Sequence, residues 1–232
     1  VLLATPLVHS LKCAWPSVRI DMLVFQGTEG VLEGDPDLHE VICLPQSGSL
    51  PQMWRLARRL WRRYDLALST APSDRPTLYA WLAGRRRIGV MADGAKHAWK
   101  RALLDATVPY DNDATHTVVQ NLWLADALGV PRRTDMPGTP AEADIAAVRG
   151  FFPGFPGARY AVLHPYPKFA YKTWRMQGWR DLAGWLADQG IQVVLTGGGD
   201  SAERDYLASL AQRFAVPPVN LCGKLSLRQT RA

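Results

Sequence analysis

Apolar positions along the chain follow two periods. Short runs rich in Val, Ile, Leu and Phe recur at residues 19–25, 40–44, 65–69, 87–91, 160–164, 192–196 and 219–222. Between them lie stretches whose apolar residues return every three or four positions, as on one helix face. These cover residues 2–14, 27–33, 51–64, 77–83, 116–128, 141–149, 176–189 and 202–214. Trp15-Pro16, Gly34-Asp-Pro36, Ser73-Asp-Arg-Pro76 and Gly129 punctuate them as turn and stop signals. Alternating strands and helices with short apolar strands predict an α/β fold of parallel sheets flanked by helices.

The alternation breaks once. Residues 131–140 are rich in Pro, Gly and Thr, a short helix follows, and Phe151-Phe-Pro-Gly-Phe-Pro-Gly157 is again turn-rich. A boundary belongs in this region and is set at 140/141, giving units 1–140 and 141–232. The second unit carries three predicted strands and two full helices, fewer than a domain of roughly 100–150 residues holds, so its sheet is expected to be incomplete.

Charge changes the picture in the first unit. The chain's net charge is +6, yet residues 53–101 hold twelve Lys/Arg against three acids, Asp65, Asp74 and Asp93. In the helix at 51–64, Met53, Leu56, Leu60 and Trp61 lie near one stripe, with Arg55, Arg58, Arg59, Arg62 and Arg63 elsewhere. Such a surface suits an anionic partner: acidic lipid, a phosphorylated glycolipid or nucleic acid. No recognisable DNA- or RNA-binding motif supports the last. No apolar run reaches the roughly 18 residues a membrane helix needs. Cys13, Cys43 and Cys222 are scattered, form no metal-ligand spacing and point to a reducing compartment.

Candidate chemistry concentrates in the second unit. The segment His164-Pro-Tyr-Pro-Lys-Phe-Ala-Tyr-Lys172-Thr-Trp174 lies where a predicted strand hands over to a helix. Ligands of open α/β sheets bind at such carboxyl ends, and lysines beside a helix N-terminus suit phosphate. Lys172 is the leading candidate, Lys168 an accessory one, and Trp174 is read as packing at the helix start. Thr196-Gly-Gly-Gly199 follows the next strand and lets backbone approach a ligand closely. Gly197-x-Gly199-x-x-Ala202 also fits a dinucleotide fingerprint, but the following strand ends Leu221-Cys-Gly-Lys224, without the acid a ribose requires. Asp200-x-x-Glu203 has the spacing of a capping box, which needs no ligand.

These segments together resemble glycosyltransferase family 9, the heptosyltransferases of bacterial lipopolysaccharide core assembly. The likeness rests on the strand–proline loop–Lys172-Thr-Trp174 pattern, on Val193-Val-Leu-Thr-Gly-Gly-Gly-Asp200-Ser-Ala-Glu203 and on Leu221-Cys-Gly-Lys-Leu-Ser-Leu227. Val1-Leu-Leu-Ala-Thr-Pro-Leu-Val-His-Ser-Leu11 is similar to the family's first helix. The resemblance implies a GT-B architecture, two Rossmann-like domains facing a cleft, with an N-terminal acceptor side and a C-terminal nucleotide-sugar side. It implies ADP-heptose as donor, a lipid-A-linked inner-core acceptor, no metal or other cofactor, and work at the cytoplasmic face of the inner membrane. The basic residues Arg55, Arg58, Arg59, Arg62 and Arg63 are the expected membrane contact. The short Lys-Thr-Trp loop is closest to the branch that adds a side heptose.

Residue by residue, the resemblance implies donor contacts from Lys172, Lys168, Thr196, Gly197, Gly198 and Glu203, with Leu225 against the base. It implies acceptor contacts from Thr5, Asp74 and Arg75; Asp74 is also a plausible helix cap. His9, His116 and Asn121 are read as structural. Family members begin with a strand and a Gly-Asp pair before the helix at Val1, and carry an Asp-Ser/Thr-Gly…His motif later than any residue here. The expected base, that aspartate, therefore precedes Val1, and the 232 residues alone are expected to be inactive. The alternative is a non-catalytic remnant that binds nucleotide or anionic lipid.

Overall fold

A computed structural model describes residues 1–45, 47–111, 113–135 and 140–232. The chain divides into two compact units, Val1–Gly138 and Thr139–Ala232. Residues 136–139 of the Pro/Gly/Thr stretch lie outside the described residues. Every strand pairing among the described residues is parallel, as the alternation predicts.

In the first unit, α1 (Thr5–Ala14) leads to β1 (Asp21–Phe25), which pairs with β2 (Glu40–Leu44). α2 (Leu50–Leu60) opens with a capping box in which Ser49 and Gln52 satisfy each other's backbone N–H groups. It was predicted to run to residue 64. It ends earlier because Arg62 takes a left-handed φ of 49° and its N–H donates to Leu82 O at 2.9 Å. Tyr64 is thereby released to open β3 (Tyr64–Ser69).

α3 (Asp74–Ala83), β4 (Gly84–Met91), α4 (Ala98–Arg101), β5 (Ala106–Pro109) and α5 (Thr117–Asp126) complete the unit. β4 begins three residues before its apolar run, since Arg85 and Arg86 hide the period. Gly84 permits this start: a Cβ there would stand 2.6 Å from Ala67 Cβ on β3. β5 escaped prediction because only Val108 of its four residues is buried. Ile88, Val90, Val108 and Leu124 form the core with Leu7 and Leu11 of α1.

Among the described residues, the first unit's strands form two sheets, β1-β2 and β3-β4-β5. The facing strands β1 and β3 are not paired and line a mostly apolar cavity of about 1040 Å³. At its amino end the Tyr64 hydroxyl donates to Asp21 Oδ2 at 2.7 Å, tying one sheet to the other.

The second unit runs α6 (Glu142–Phe151), β6 (Tyr160–Leu163), α7 (Met176–Asp188), β7 (Gln192–Leu195), α8 (Ser201–Ala211), β8 (Val219–Asn220) and α9 (Leu227–Arg231). Its sheet has the order β6-β7-β8. The period-2 alternation of β7 covers both faces. Val193 and Leu195 pack with Ala183 and Leu186 of α7 and Leu207 and Leu210 of α8. Val194 turns the other way, onto Phe152 and Leu221. α9 was not foreseen; Ser226 and Gln229 cap it, and Arg228 ties it to the buried Asp144 of α6 at 2.9 Å.

Candidate active site: three loops at one sheet edge

Because β6, β7 and β8 are parallel and adjacent, the loops leaving them emerge at the same carboxyl edge. Hydrogen bonds join them there. His164 Nδ1, after β6, lies 3.0 Å from Thr196 O, after β7. The Cys222 thiol, after β8, donates to Gly198 O at 3.1 Å, and Gly223 N donates to Gly197 O at 3.2 Å. Burial, then the Glu203 carboxylate, push the Cys222 thiol pKa up, so it stays a neutral donor.

The glycine loop is shaped around Glu203. Asp200 caps α8 by accepting from Glu203 N at 2.9 Å. The reciprocal half of a capping box is not formed: two other helices carry both halves, and α8 carries the Asp200 half alone. The Glu203 side chain instead turns into the loop and is only 6% exposed. A Cβ on Gly197 would stand 2.5 Å from its Oε1, and one on Gly198 2.7 Å from its Oε2. Glycine at both positions is what lets a carboxylate lie under this loop. Arg204 was missed from the sequence. Its Nη2 would be 3.2 Å from a Cβ on either Gly199 or Gly223, so the guanidinium lies across both loops. No spacing within α8 signals it, because its reach is to Gly223, beyond the helix.

The loop after β6 is exposed. Lys172 Nζ lies 5.7 Å from the Phe169 ring centre and 5.6 Å from that of Tyr171, and Lys168 Nζ 5.9 Å from Phe169. Neither lysine has a carboxylate partner among the described residues. The following helix, α7, has Arg175 at its N-cap, no side-chain cap bond and no acid in its first turn. Uncapped amides, the dipole and three cations make this end electropositive. Trp174 packs edge-on against Trp179 and over Gly178, yet is 44% exposed, so it is only partly the packing residue expected. Leu225 joins the Phe152–Val194–Leu221 cluster.

The first-unit candidates behave differently. Thr5 is 2% exposed and its hydroxyl donates to Leu2 O at 2.8 Å. The hydroxyl of this expected acceptor contact closes the first helical turn. Asp74 does not cap α3, whose N-cap is Ser73; its carboxylate faces Lys100 Nζ at 3.0 Å. Lys100, also missed, is 4% exposed and donates to Pro72 O at 2.7 Å. Arg75 stacks over Phe25 at 5.8 Å. His116 caps α5, Asn121 donates to Leu3 O at 2.8 Å, and His9 sits between Asp37 and Asp135. Among the described residues no group of three or more His, Cys, Asp or Glu is placed to hold a metal ion.

The sequence model of glycosyltransferase family 9 (heptosyltransferase) matches residues 53–232 and so takes in all three loops of this edge. The chain belongs to glycosyltransferase family 9. Among its relatives, lipopolysaccharide heptosyltransferase 3 of Escherichia coli is 26% identical over the whole chain and 71% of the relative. The protein of that name from strain K12 is 25% identical over 97% of the chain and 67% of its own length. Solved structures of family members extend the likeness to the fold. The family 9 glycosyltransferase of Veillonella parvula DSM 2008 gives a TM-score of 0.81 at 17% identity, over 98% of this chain and 67% of that one. E. coli ADP-heptose lps heptosyltransferase II gives 0.72 at 19%, over 99% and 71%. E. coli heptosyltransferase WaaC with ADP gives 0.67 at 21%, over 95% and 69%. The architecture is thus the GT-B type, and the family is one of glycosyltransferases.

Proposed function

We propose that the chain transfers a heptose from ADP-heptose to the inner core of lipopolysaccharide, as a third-type heptosyltransferase adding a side residue. The carrying observation is the electropositive loop of Lys172 beside the uncapped start of α7, at the same sheet edge as the glycine loop. Supporting it, the E. coli relatives are named lipopolysaccharide heptosyltransferase 3, and family structures include WaaC with ADP-2-deoxy-2-fluoro heptose.

In the proposed reaction an acceptor hydroxyl attacks the anomeric carbon, the bond from that carbon to the β-phosphate oxygen breaks, and ADP leaves with the electron pair. The hydroxyl proton passes to a base that none of these residues is assigned to be. Charge grows on the β-phosphate, so a fixed cation there favours the transition state over the ground state. Lys172 takes that role, assisted by Lys168. Thr196, Gly197 and Gly198 offer close backbone approach, Glu203 hydrogen-bonds donor hydroxyls, and Leu225 presents its open side to the base. Asp74 and Arg75 of the first unit contact the acceptor. No cofactor is invoked. The site of action is the cytoplasmic face of the inner membrane.

The test is calorimetric titration with ADP-heptose and, separately, UDP-glucose, followed by a transfer assay on a core acceptor. Selective binding of ADP-heptose with transfer is expected. Equal or absent binding of both nucleotide sugars would overturn the donor assignment. Binding without transfer would favour a non-catalytic nucleotide binder.

A further inference from the structure

Helix α2 is amphipathic in an unusual sense: both of its faces carry apolar side chains. Its inner face is accounted for, since Leu56 and Leu60 pack with Ile42 and Ala83. Its outer face leaves Leu50 86% and Trp54 67% exposed, and Trp61, the C-cap residue that follows it, is 57% exposed. At helical spacing, positions 50, 54 and 61 fall within about 40° of one another around the axis, so they form one stripe. Trp81 of α3 meets Trp61 edge-on at 6.1 Å and widens it.

The cations around this stripe sort into two groups. Arg59 and Arg63 both reach the carboxylate of Glu40. They are therefore withdrawn from the five-arginine contact expected from the sequence. Arg55 and Arg58 are exposed and form no ion pair among the described residues, and Arg62 is exposed with its charge also felt by Asp105. Arg62 lies 6.0 Å over the Trp61 ring. Exposed indoles and a leucine, flanked by exposed arginines, match the interface of an anionic bilayer, where indole rings settle at headgroup depth and guanidinium groups meet phosphate. No helix among the described residues is long and apolar enough to cross a membrane, so the fit is to a surface.

We infer that the outer face of α2 is an interfacial membrane anchor, in which Leu50, Trp54 and Trp61 enter the headgroup region of an anionic bilayer while Arg55, Arg58 and Arg62 bind its phosphates. Charge complementarity selects the occupant. A purely electrostatic contact would not need two exposed tryptophans, and an apolar protein groove would not need three exposed arginines. The inference goes beyond the glycosyl-transfer reading and its test contains no transfer step, so the two fail separately.

The experiment is co-sedimentation of the 232-residue chain with vesicles of phosphatidylcholine alone and of phosphatidylcholine with phosphatidylglycerol. Binding to the anionic vesicles is expected to weaken as salt rises. Trp54→Ser with Trp61→Ser is expected to cost about tenfold or more in partitioning, and Arg55→Glu with Arg58→Glu a similar factor at low salt only. Unchanged circular dichroism and melting would certify both variants as folded, as their exposure predicts. Brominated lipids should quench the wild-type fluorescence and lose most of that effect in the tryptophan variant. Binding that ignores the tryptophan changes, or no preference for anionic vesicles, would overturn the anchor and leave a protein partner as the occupant to seek.

Discussion

At the carboxyl edge of the second unit, charged side chains reach away from the fold's own bonding; at the corresponding edge of the first they close on one another. Lys172 and Lys168 lie over aromatic rings and meet no carboxylate among the described residues, and Glu203 is aimed into a glycine loop instead of completing its capping box. Asp74, by contrast, meets Lys100, and Lys100 holds the Pro72 carbonyl. Thr5 bonds within its own turn. An acid or hydroxyl at a strand-to-helix junction is thus weak evidence of a ligand, because helix starts and loop ends need such groups themselves. A buried carboxylate over two glycines is stronger, since no cap or turn requires it.

The comparison breaks first at Gly197. A side chain there meets Glu203 and Leu207 Cδ1, the latter 2.8 Å from the added Cβ. Gly197→Val is expected to lower stability by about 3 kcal/mol and abolish donor binding. A melt within a degree of wild type would show that the loop yields freely. On the first unit, Lys100→Met removes a buried amine and orphans the Pro72 carbonyl, at about 1–2 kcal/mol. Denaturant unfolding should report that loss while ADP-heptose affinity stays unchanged. An affinity change would place Lys100 in the donor site.

The smallest effect concerns Tyr64, where the first unit's two sheets meet. Burial, then the hydrogen bond to Asp21, push its phenol up from 10.0 to about 12. The folded state therefore favours the protonated form. Its contribution is fully present below pH 10 and is lost as pH rises towards 12. Melting followed across that window should show roughly 1 kcal/mol of extra loss, which Tyr64→Phe removes. An identical pH dependence in the variant would deny the bond.

The sequence made the alternation, the parallel pairing and the second unit's loops legible because buried runs and glycines have direct backbone consequences. Val193, Val194 and Leu195 read as a strand, and they are one. β5 was hidden because it buries a single residue, and α9 because Leu227-Arg-Gln-Thr-Arg231 has no apolar face. The end of α2 depends on a left-handed Arg62, which no pattern announces. Arg204 and Lys100 were overlooked for a common reason. Each acts across a distance in sequence, on Gly223 or Pro72, and spacing along one element carries no trace of that.

The central claim is that Lys172 binds the donor's phosphates. The direct measurement is titration of ADP-heptose into wild type, Lys172→Ala and the Lys100→Met control at one ionic strength. Loss of a charge-assisted contact should weaken binding by about 1.5–3 kcal/mol, roughly ten- to hundredfold, in Lys172→Ala alone. Equal affinity in wild type and Lys172→Ala, with both folded, would contradict the account and remove this loop from the donor site.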